Sequence, residues 1–107
     1  MNTDKWLDQV ANFSEGFACT ELGGKYNFIG TDGKLLSSTL FDWIWCFNNG
    51  FGRVKLDGKW NYIGKDGKVL SDVWFDRCEA FIEGFGRVKL NGKRLYIDKE
   101  GGLHEYR

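Results

Sequence analysis

A tandem repeat with a period of 34 residues limits the possible folds of this chain more than any other pattern in it. Without a gap, the stretch 13–46 matches the stretch 47–80 at 16 of 34 positions. The third copy keeps the same landmarks, among them a Phe-x-x-Gly at Phe81–Gly84. Such a period is typical of units that stack, because each is too small to bury a core alone. We therefore predict a single repeat domain over residues 1–107, made of units one (6–39), two (40–73) and three (74–107).

The pattern inside each unit indicates β-structure. In unit two, polar and apolar residues alternate on both sides of Asp57–Gly58. An Asp-Gly pair favours a type I′ hairpin turn, because both central residues need positive φ. No long stretch keeps the helical period of about 3.6 residues. The prediction is an all-β fold of three antiparallel hairpin or meander units, stacked as a short solenoid or a barrel-like body. In a closed array, residues 6–12 would pair beside the last unit.

Composition and cysteine content limit the partners and the location that we expect. Fifteen Lys and Arg balance fifteen Asp and Glu, so the chain lacks the basic surplus that non-specific nucleic-acid binding requires. No run approaches the roughly 20 apolar residues of a membrane-spanning helix, and the N-terminus does not resemble a secretory signal. We therefore expect no non-specific binding to nucleic acid and no membrane as a partner. Cys19, Cys46 and Cys78 cannot all pair within the chain, so a reduced, cytoplasmic location is the simplest interpretation.

The sequence contains no constellation typical of a catalytic or metal site. The single histidine, His104, stands where the other units have Leu36 and Leu70, which suggests a terminal variant rather than a general base. The cysteines form no Cys-x-x-Cys pattern, so a zinc site is not expected. Recurrence of Asp at Asp42 and Asp76 indicates side chains that bond nearby backbone amides. We expect no enzyme activity, no metal and no cofactor.

Alternation assigns two faces to each hairpin. In unit two, Leu56 and Ile63 share one face, which we predict to be core because their counterparts stay aliphatic. The opposite face pairs cations with aromatic residues, as Arg53 with Tyr62, and cation–π contacts would stabilise it. Two interpretations of these aromatic residues stay open: they pack between stacked units, or they form an exposed face for a carbohydrate or another small ligand. The residues of this alternative ligand face are Tyr26, Phe28, Trp60, Tyr62 and Tyr96.

Two tryptophans distinguish unit two from its neighbours. Trp43 stands where the flanking units have Gln9 and Arg77, and Trp45 stands where unit three has Glu79. Positions that accept such polar residues are expected to be solvated, so the indoles would form an exposed apolar patch, which usually marks an interaction surface. We predict contact with another protein, while contact between copies of this chain and cover of a neighbouring unit stay open. The predicted partner-binding residues are two anchors and four steering cations: Trp43, Trp45, Arg53, Lys55, Arg87 and Lys89.

Unit two carries a Phe-x-x-Gly step followed by a small-x-Val step in residues 47–54, and Gly-Lys-Trp-x-Tyr-Ile in residues 58–63. With these motifs the chain resembles the WG repeat proteins of bacteria. The resemblance covers residues 6–107, although the name-giving Trp-Gly pair is altered in all three copies. It implies a β-repeat binding scaffold and carries no catalytic residue.

The function predicted from the sequence is stoichiometric binding to another protein. A compact three-unit chain without catalytic residues suits an inhibitor, an immunity factor or a phage anti-defence protein. The alternative is a carbohydrate- or small-ligand-binding repeat module that uses the aromatic face.

Overall fold

A computed structural model describes residues 13–105, which form strands, turns and bends and contain no helix. The strands of this part of the chain are β1 Phe17–Leu22, β2 Lys25–Gly30, β3 Trp43–Asn48, β4 Phe51–Leu56, β5 Lys59–Ile63, β6 Arg77–Cys78, β7 Phe85–Leu90, β8 Lys93–Asp98 and β9 Leu103–Glu105. They pair into three antiparallel sheets, β1-β2, β3-β4-β5 and β6-β7-β8-β9, one for each repeat unit. The prediction of an all-β fold with three tandem antiparallel units is confirmed.

The sheets remain separate, and none closes on itself within residues 13–105. The molecule is elongated, with extents of 53 × 26 × 18 Å. The predicted pairing of residues 6–12 beside the last unit, and the comparison that used Gln9, lie outside the described residues. No element of the described part is a helix of the length and hydrophobicity that crossing a membrane requires.

The hairpins form where the sequence predicts them. Asp57 and Gly58 have φ of 53° and 81°, the left-handed values that a type I′ turn needs at both central positions. Across this turn, Val54 pairs with Asn61 and Gly52 pairs with Ile63, as the alternation predicts. The register therefore follows from the turn and the pattern together.

The core lies between the units. Phe28 of unit one packs in a cluster with unit-two residues that include Phe47 and Val54. Tyr62 of unit two packs in a second cluster with unit-three residues that include Phe81. The aromatic face of one hairpin therefore packs against the aliphatic face of the next.

Burial of these aromatic residues corrects the alternative ligand face. Phe28 and Tyr62 are both 0% exposed, so neither belongs to a surface on which a ligand could stack. The interpretation that they pack between stacked units is the right one for these two residues. The sequence did not decide between the two interpretations, because an aromatic residue on the second face is compatible both with packing between units and with ligand binding. Tyr26, Trp60 and Tyr96 are half-buried.

Acidic side chains connect adjacent units. The Glu15 carboxylate accepts hydrogen bonds from the backbone N–H groups of Asn49 at 2.7 Å and Gly50 at 2.8 Å. Asp42 accepts from the backbone N–H of Asp57 at 2.9 Å and pairs with Lys25 at 2.5 Å. The predicted bonding of Asp42 to a backbone amide is confirmed, and the structure adds the lysine of the preceding unit.

A disulfide joins unit one to unit two. It links Cys19 of β1 to Cys46 of β3, with a Cα–Cα distance of 5.7 Å, a usual spacing for such a bond. The sequence analysis took the cysteines as reduced and did not predict this pair. Cys78 is free and buried.

Candidate interaction surface

The two tryptophans of unit two project from one face of the central sheet. Antiparallel pairing of β3 with β4 sets Trp43 opposite Lys55 and Trp45 opposite Arg53. Trp43 is 42% exposed and Trp45 is 48% exposed, whereas Ile44 between them is 5% exposed. The strand therefore alternates between solvent and core, and the indoles occupy its solvent side.

Neighbouring side chains hold the indoles in place. The Tyr26 ring meets Trp43 edge to face, with a centroid distance of 4.9 Å, and Trp43 meets Trp45 edge to face at 6.3 Å. The Arg53 guanidinium carbon lies 5.3 Å from the Trp45 ring centroid. Edge-to-face and cation–π contacts each favour one ring orientation. The indoles thus form an ordered apolar patch rather than two independent side chains.

Arg53 has a structural role besides its contact with Trp45. It donates a hydrogen bond from Nη1 to the backbone carbonyl of Cys78 in unit three at 3.2 Å. Lys55 places its Nζ atom 5.7 Å from the Trp60 ring centroid. Both predicted steering cations of unit two therefore contact aromatic rings of their own sheet.

The other two predicted cations belong to the next sheet. Arg87 and Lys89 are exposed residues of β7, and Lys89 pairs across the strands with Arg77. A polar cleft of about 340 Å³ opens there, lined by Arg77, Glu79, Arg87, Val88, Lys89 and Arg94. The structure thus groups Trp43, Trp45, Arg53 and Lys55 on sheet two and places Arg87 and Lys89 on sheet three.

A second open surface lies at the far end of unit three, and the sequence analysis did not single it out. Phe85 is 46% exposed and Ile82 is 66% exposed. They line a pocket of about 610 Å³ together with Tyr96 and His104. The third Phe-x-x-Gly-Phe segment, residues 81–85, contributes Ile82 and Phe85 to this pocket, but the repeat pattern does not indicate that these two side chains are exposed.

The titratable groups of the described residues do not assemble a metal-binding cluster. Between residues 13 and 105, no group of three or more His, Cys, Asp or Glu side chains could hold a metal ion. His104 Nε2 lies 2.7 Å from an Asp98 carboxylate oxygen, and this contact lowers the pKa of Asp98. Asp98 also accepts hydrogen bonds from the backbone of its own turn. Burial raises the pKa of the Cys78 thiol to about 12, so it stays protonated at neutral pH.

The repeat pattern matches a known protein family along most of the chain. The family model for the WG containing repeat matches residues 7–26, 28–60 and 62–93. The chain belongs to the WG containing repeat family. No curated protein and no solved structure matches the chain.

Within this WG repeat chain, the exposed indoles are not the tryptophan of the family's name. Trp60 occupies that position in unit two, where it is half-buried beside Lys55. Trp43 and Trp45 come from the strand that precedes the hairpin. The patch is therefore a feature of one unit of this chain and not of the repeat itself.

Proposed function

We propose that this WG repeat chain is a non-enzymatic binding module that acts by stoichiometric contact with another protein in the cytoplasm. The observation that carries the proposal is the pair of exposed indoles, Trp43 and Trp45, at positions that hold Arg77 and Glu79 in unit three. A large ordered apolar patch at otherwise polar positions is typical of an interaction surface. Tryptophan is also among the residues that contribute most to binding free energy.

The proposed mechanism is occlusion of a partner surface. The contacts of Trp43 with Tyr26 and of Trp45 with Arg53 reduce the conformational entropy that the indoles lose on binding. The exposed cations Arg87 and Lys89 would steer an acidic partner surface toward the chain. A small protein that covers such a surface would act as an inhibitor, an immunity factor or a phage anti-defence protein.

A carbohydrate- or small-ligand-binding module would require an exposed aromatic face. That hypothesis placed Phe28 and Tyr62 on the face, and both are fully buried. The remaining residues of the suggested face, Tyr26, Trp60 and Tyr96, come from three different sheets.

The test is affinity capture of native partners with the wild-type chain and with the Trp43→Ala/Trp45→Ala variant. We expect a partner that the wild type retains in a fixed molar ratio and that the variant loses. The matched control is Val69→Ala/Val73→Ala, because both valines are 40% exposed and lie outside the patch. Equal recovery of every partner by the wild type and the tryptophan variant would reject the patch as the binding surface.

A further inference from the structure

We propose that three cations side by side on the third sheet, Arg77, Lys89 and Arg94, bind an acidic segment of the partner protein. These three residues are called the cation row below. The inference deepens the proposed function and rests on it, because it takes the partner to be a protein. It adds the chemistry that the partner must carry, namely carboxylate side chains on an extended stretch of chain.

The register of the third sheet brings the three cations together. Arg77 of β6 pairs with Lys89 of β7, and Lys89 pairs with Arg94 of β8. Neighbouring strands lie about 4.8 Å apart, so the row crosses three strands and spans about 10 Å. All three side chains are exposed, and they line the polar cleft of about 340 Å³. The cations therefore share one face of the sheet and one cleft.

The cation row is unfavourable for the folded chain by itself. Like charges directly opposite each other on adjacent strands repel. None of the three cations forms an ion pair with a carboxylate between residues 13 and 105. Glu79 lines the same cleft, but it stands opposite Arg87, whose backbone carbonyl accepts from the Glu79 N–H at 2.9 Å. The row thus has no counter-charge of its own in this part of the chain.

The same row in unit two shows a purely structural solution at these positions. They hold Trp43, Lys55 and Trp60, so a single cation stands between two indoles. Lys55 places its Nζ atom 5.7 Å from the Trp60 ring centroid, which is a favourable contact. Unit three has arginine in place of both indoles. A repulsion that the packing of the repeat does not require points to a ligand of opposite charge.

Access to the cation row does not depend on which unit is the last in the stack. Unit three packs against unit two, and Trp43, at the position of Arg77, is nevertheless 42% exposed. Lys55 and Trp60, at the other two positions of the row, are half-buried. A further unit packed in the same way would therefore leave the row within reach of a partner.

The cation row adjoins the patch of Trp43 and Trp45 through Arg53. The guanidinium carbon of Arg53 lies 5.3 Å from the Trp45 ring centroid, and its Nη1 atom donates to the Cys78 carbonyl at 3.2 Å. Cys78 follows Arg77 directly on β6. A partner that covers the indoles would therefore reach the first cation of the row along the same surface.

The shape of the row favours an extended acidic segment. Guanidinium groups bind carboxylate oxygens in a bidentate manner, and lysine adds a point charge. In an extended peptide, alternate side chains lie on one side of the chain, about 6.8 Å apart. Two carboxylates at alternate positions would therefore contact Arg77 and Arg94, with Lys89 between them.

Nucleic acid is the competing anionic partner, and the charge of the chain disfavours it. Fifteen Lys and Arg are balanced by fifteen Asp and Glu, so no broad positive field surrounds the row. A phosphate backbone binds through many cations along its length. Here three cations stand together, and Glu79 lines the same cleft. An acidic protein segment is the occupant that these residues favour.

The experiment is a fluorescence anisotropy titration of the folded chain, at low ionic strength, with a rhodamine-labelled peptide of four Glu-Ser repeats. We expect saturable binding that weakens as salt is added and that a peptide of four Gln-Ser repeats does not show. Arg77→Gln/Lys89→Gln/Arg94→Gln, the row variant, should raise the dissociation constant about tenfold or more, because it removes charge-assisted hydrogen bonds.

A matched control removes the same charge elsewhere. Lys34→Gln/Lys68→Gln/Lys99→Gln changes three exposed lysines outside the row and should keep the dissociation constant within about threefold of the wild type. Thermal unfolding separates binding from folding, because relief of the repulsion should keep or raise the melting temperature of the row variant. Lys89→Gln alone, which removes the centre of the row, should show both effects to a smaller extent.

The outcomes separate this inference from the proposed function. Trp43→Ala/Trp45→Ala should bind the acidic peptide like the wild type, and in affinity capture the row variant should lose the same partner as the tryptophan variant. The cation row is overturned by absence of peptide binding at millimolar concentration, or by equal weakening in the row variant and the lysine control. Capture that only the tryptophan variant loses would also overturn it and would leave the proposed function standing. Stronger displacement of the peptide by a single-stranded oligonucleotide of equal charge than by unlabelled peptide would overturn the choice of a protein as occupant.

Discussion

At the scale of single residues, two buried asparagines link each hairpin of units one and two to the loop that follows it. Asn61 is 0% exposed, and its side-chain amide donates to the carbonyl of Ser71 at 2.8 Å. Its Oδ1 atom accepts from the backbone N–H of Tyr62 at 2.8 Å. Asn27 makes the same bonds with Ser37 and Phe28. The asparagine thus stands in place of the glycine of the Trp-Gly pair and satisfies backbone groups inside the core.

Replacement of this amide should destabilise the chain. We expect Asn61→Ala to lower the free energy of unfolding by about 2 kcal/mol, because the buried backbone groups of Ser71 lose their partner. Urea denaturation measures the change. Asn48→Ala is the control, since Asn48 is exposed and should change stability by less than about 0.5 kcal/mol. Equal stability of the two variants would contradict the role of Asn61.

The repeat also predicts how substitution of Thr20 changes the stability of the chain. It is 1% exposed, and its hydroxyl oxygen has no hydrogen-bond partner in the described structure. Val54 and Val88 occupy the same position in the other units. We expect Thr20→Val to raise the free energy of unfolding by about 1 kcal/mol, because the cost of the unpaired hydroxyl disappears. Thermal unfolding tests this against Thr39→Val at an exposed site, and a lower melting temperature for Thr20→Val would refute it.

At the scale of the elements, an aspartate before the first strand of a sheet fixes the tip of the hairpin that follows. Asp42 precedes β3 and bonds the Asp57 backbone, while Asp76 precedes β6 and accepts from Gly92 at 3.4 Å. Each also pairs with the lysine that opens the second hairpin strand of the preceding unit, Lys59 lying 2.5 Å from Asp76. Each aspartate therefore connects a sheet to the unit before it. The turn sequence sets the hairpin, and the aspartate adds a polar link between consecutive hairpins.

These contacts predict acid sensitivity. The pKa of Asp42 and that of Asp76 lie below the usual 3.8, mainly because each carboxylate bonds a lysine. A carboxylate with a lowered pKa in the folded state stabilises the fold fully above its unfolded pKa, and this contribution is lost as the pH falls through the folded value. We expect the free energy of unfolding to decrease as the pH drops below about 4.

The measurement is urea denaturation between pH 3 and pH 7. Asp42→Asn/Asp76→Asn should be less stable at neutral pH and should lose less stability on acidification than the wild type. Asp72→Asn, at an exposed position, is the control. If the double variant and the wild type lose stability in parallel below pH 4, other groups carry the acid sensitivity.

At the scale of the whole molecule, the two junctions between units share their apolar packing and a Lys–Asp ion pair but differ in one further link. Cys19 of unit one stands where Arg53 stands in unit two. The first junction is closed by the disulfide from Cys19 to Cys46, and the second by the hydrogen bond from Arg53 to the carbonyl of Cys78. Only the first junction is therefore expected to respond to reduction. In the cytoplasmic location that we propose, the pair would be held as a dithiol.

Reduction should therefore change the stability of the chain. The disulfide closes a loop with a sequence separation of 27 residues, for which loss of the crosslink costs about 3.5 kcal/mol. We expect Cys19→Ser to lower the free energy of unfolding by that amount without reductant and to match the wild type in excess reductant. Denaturation under both conditions measures the difference. An equal effect of the substitution in both conditions would show that packing of Cys19, not the crosslink, is responsible.

Local features of this fold were open to prediction. The turn at Asp57–Gly58 and the pairing of Val54 with Asn61 follow from positive φ and alternation, which act over a few neighbouring residues. The exposure of Trp43 and Trp45 could be predicted because the equivalent positions of other units hold polar residues. The disulfide and the pocket beside Phe85 could not be predicted in this way, because both depend on how one sheet lies against the next.

The repeat in the sequence specifies the number of units, the antiparallel hairpins and their register, because these depend on patterns within each unit. It does not specify which aromatic side chains the stack covers. Phe28 and Tyr62 are buried because Gly52 and Gly86 let the next sheet approach closely, a contact between residues far apart in the chain. Tyr96, the counterpart of these two residues in unit three, is half-buried, and Phe85 beside it is exposed. Alternation in the sequence indicates that the two faces of a strand differ. A side chain is buried, however, only when a second surface packs against its face.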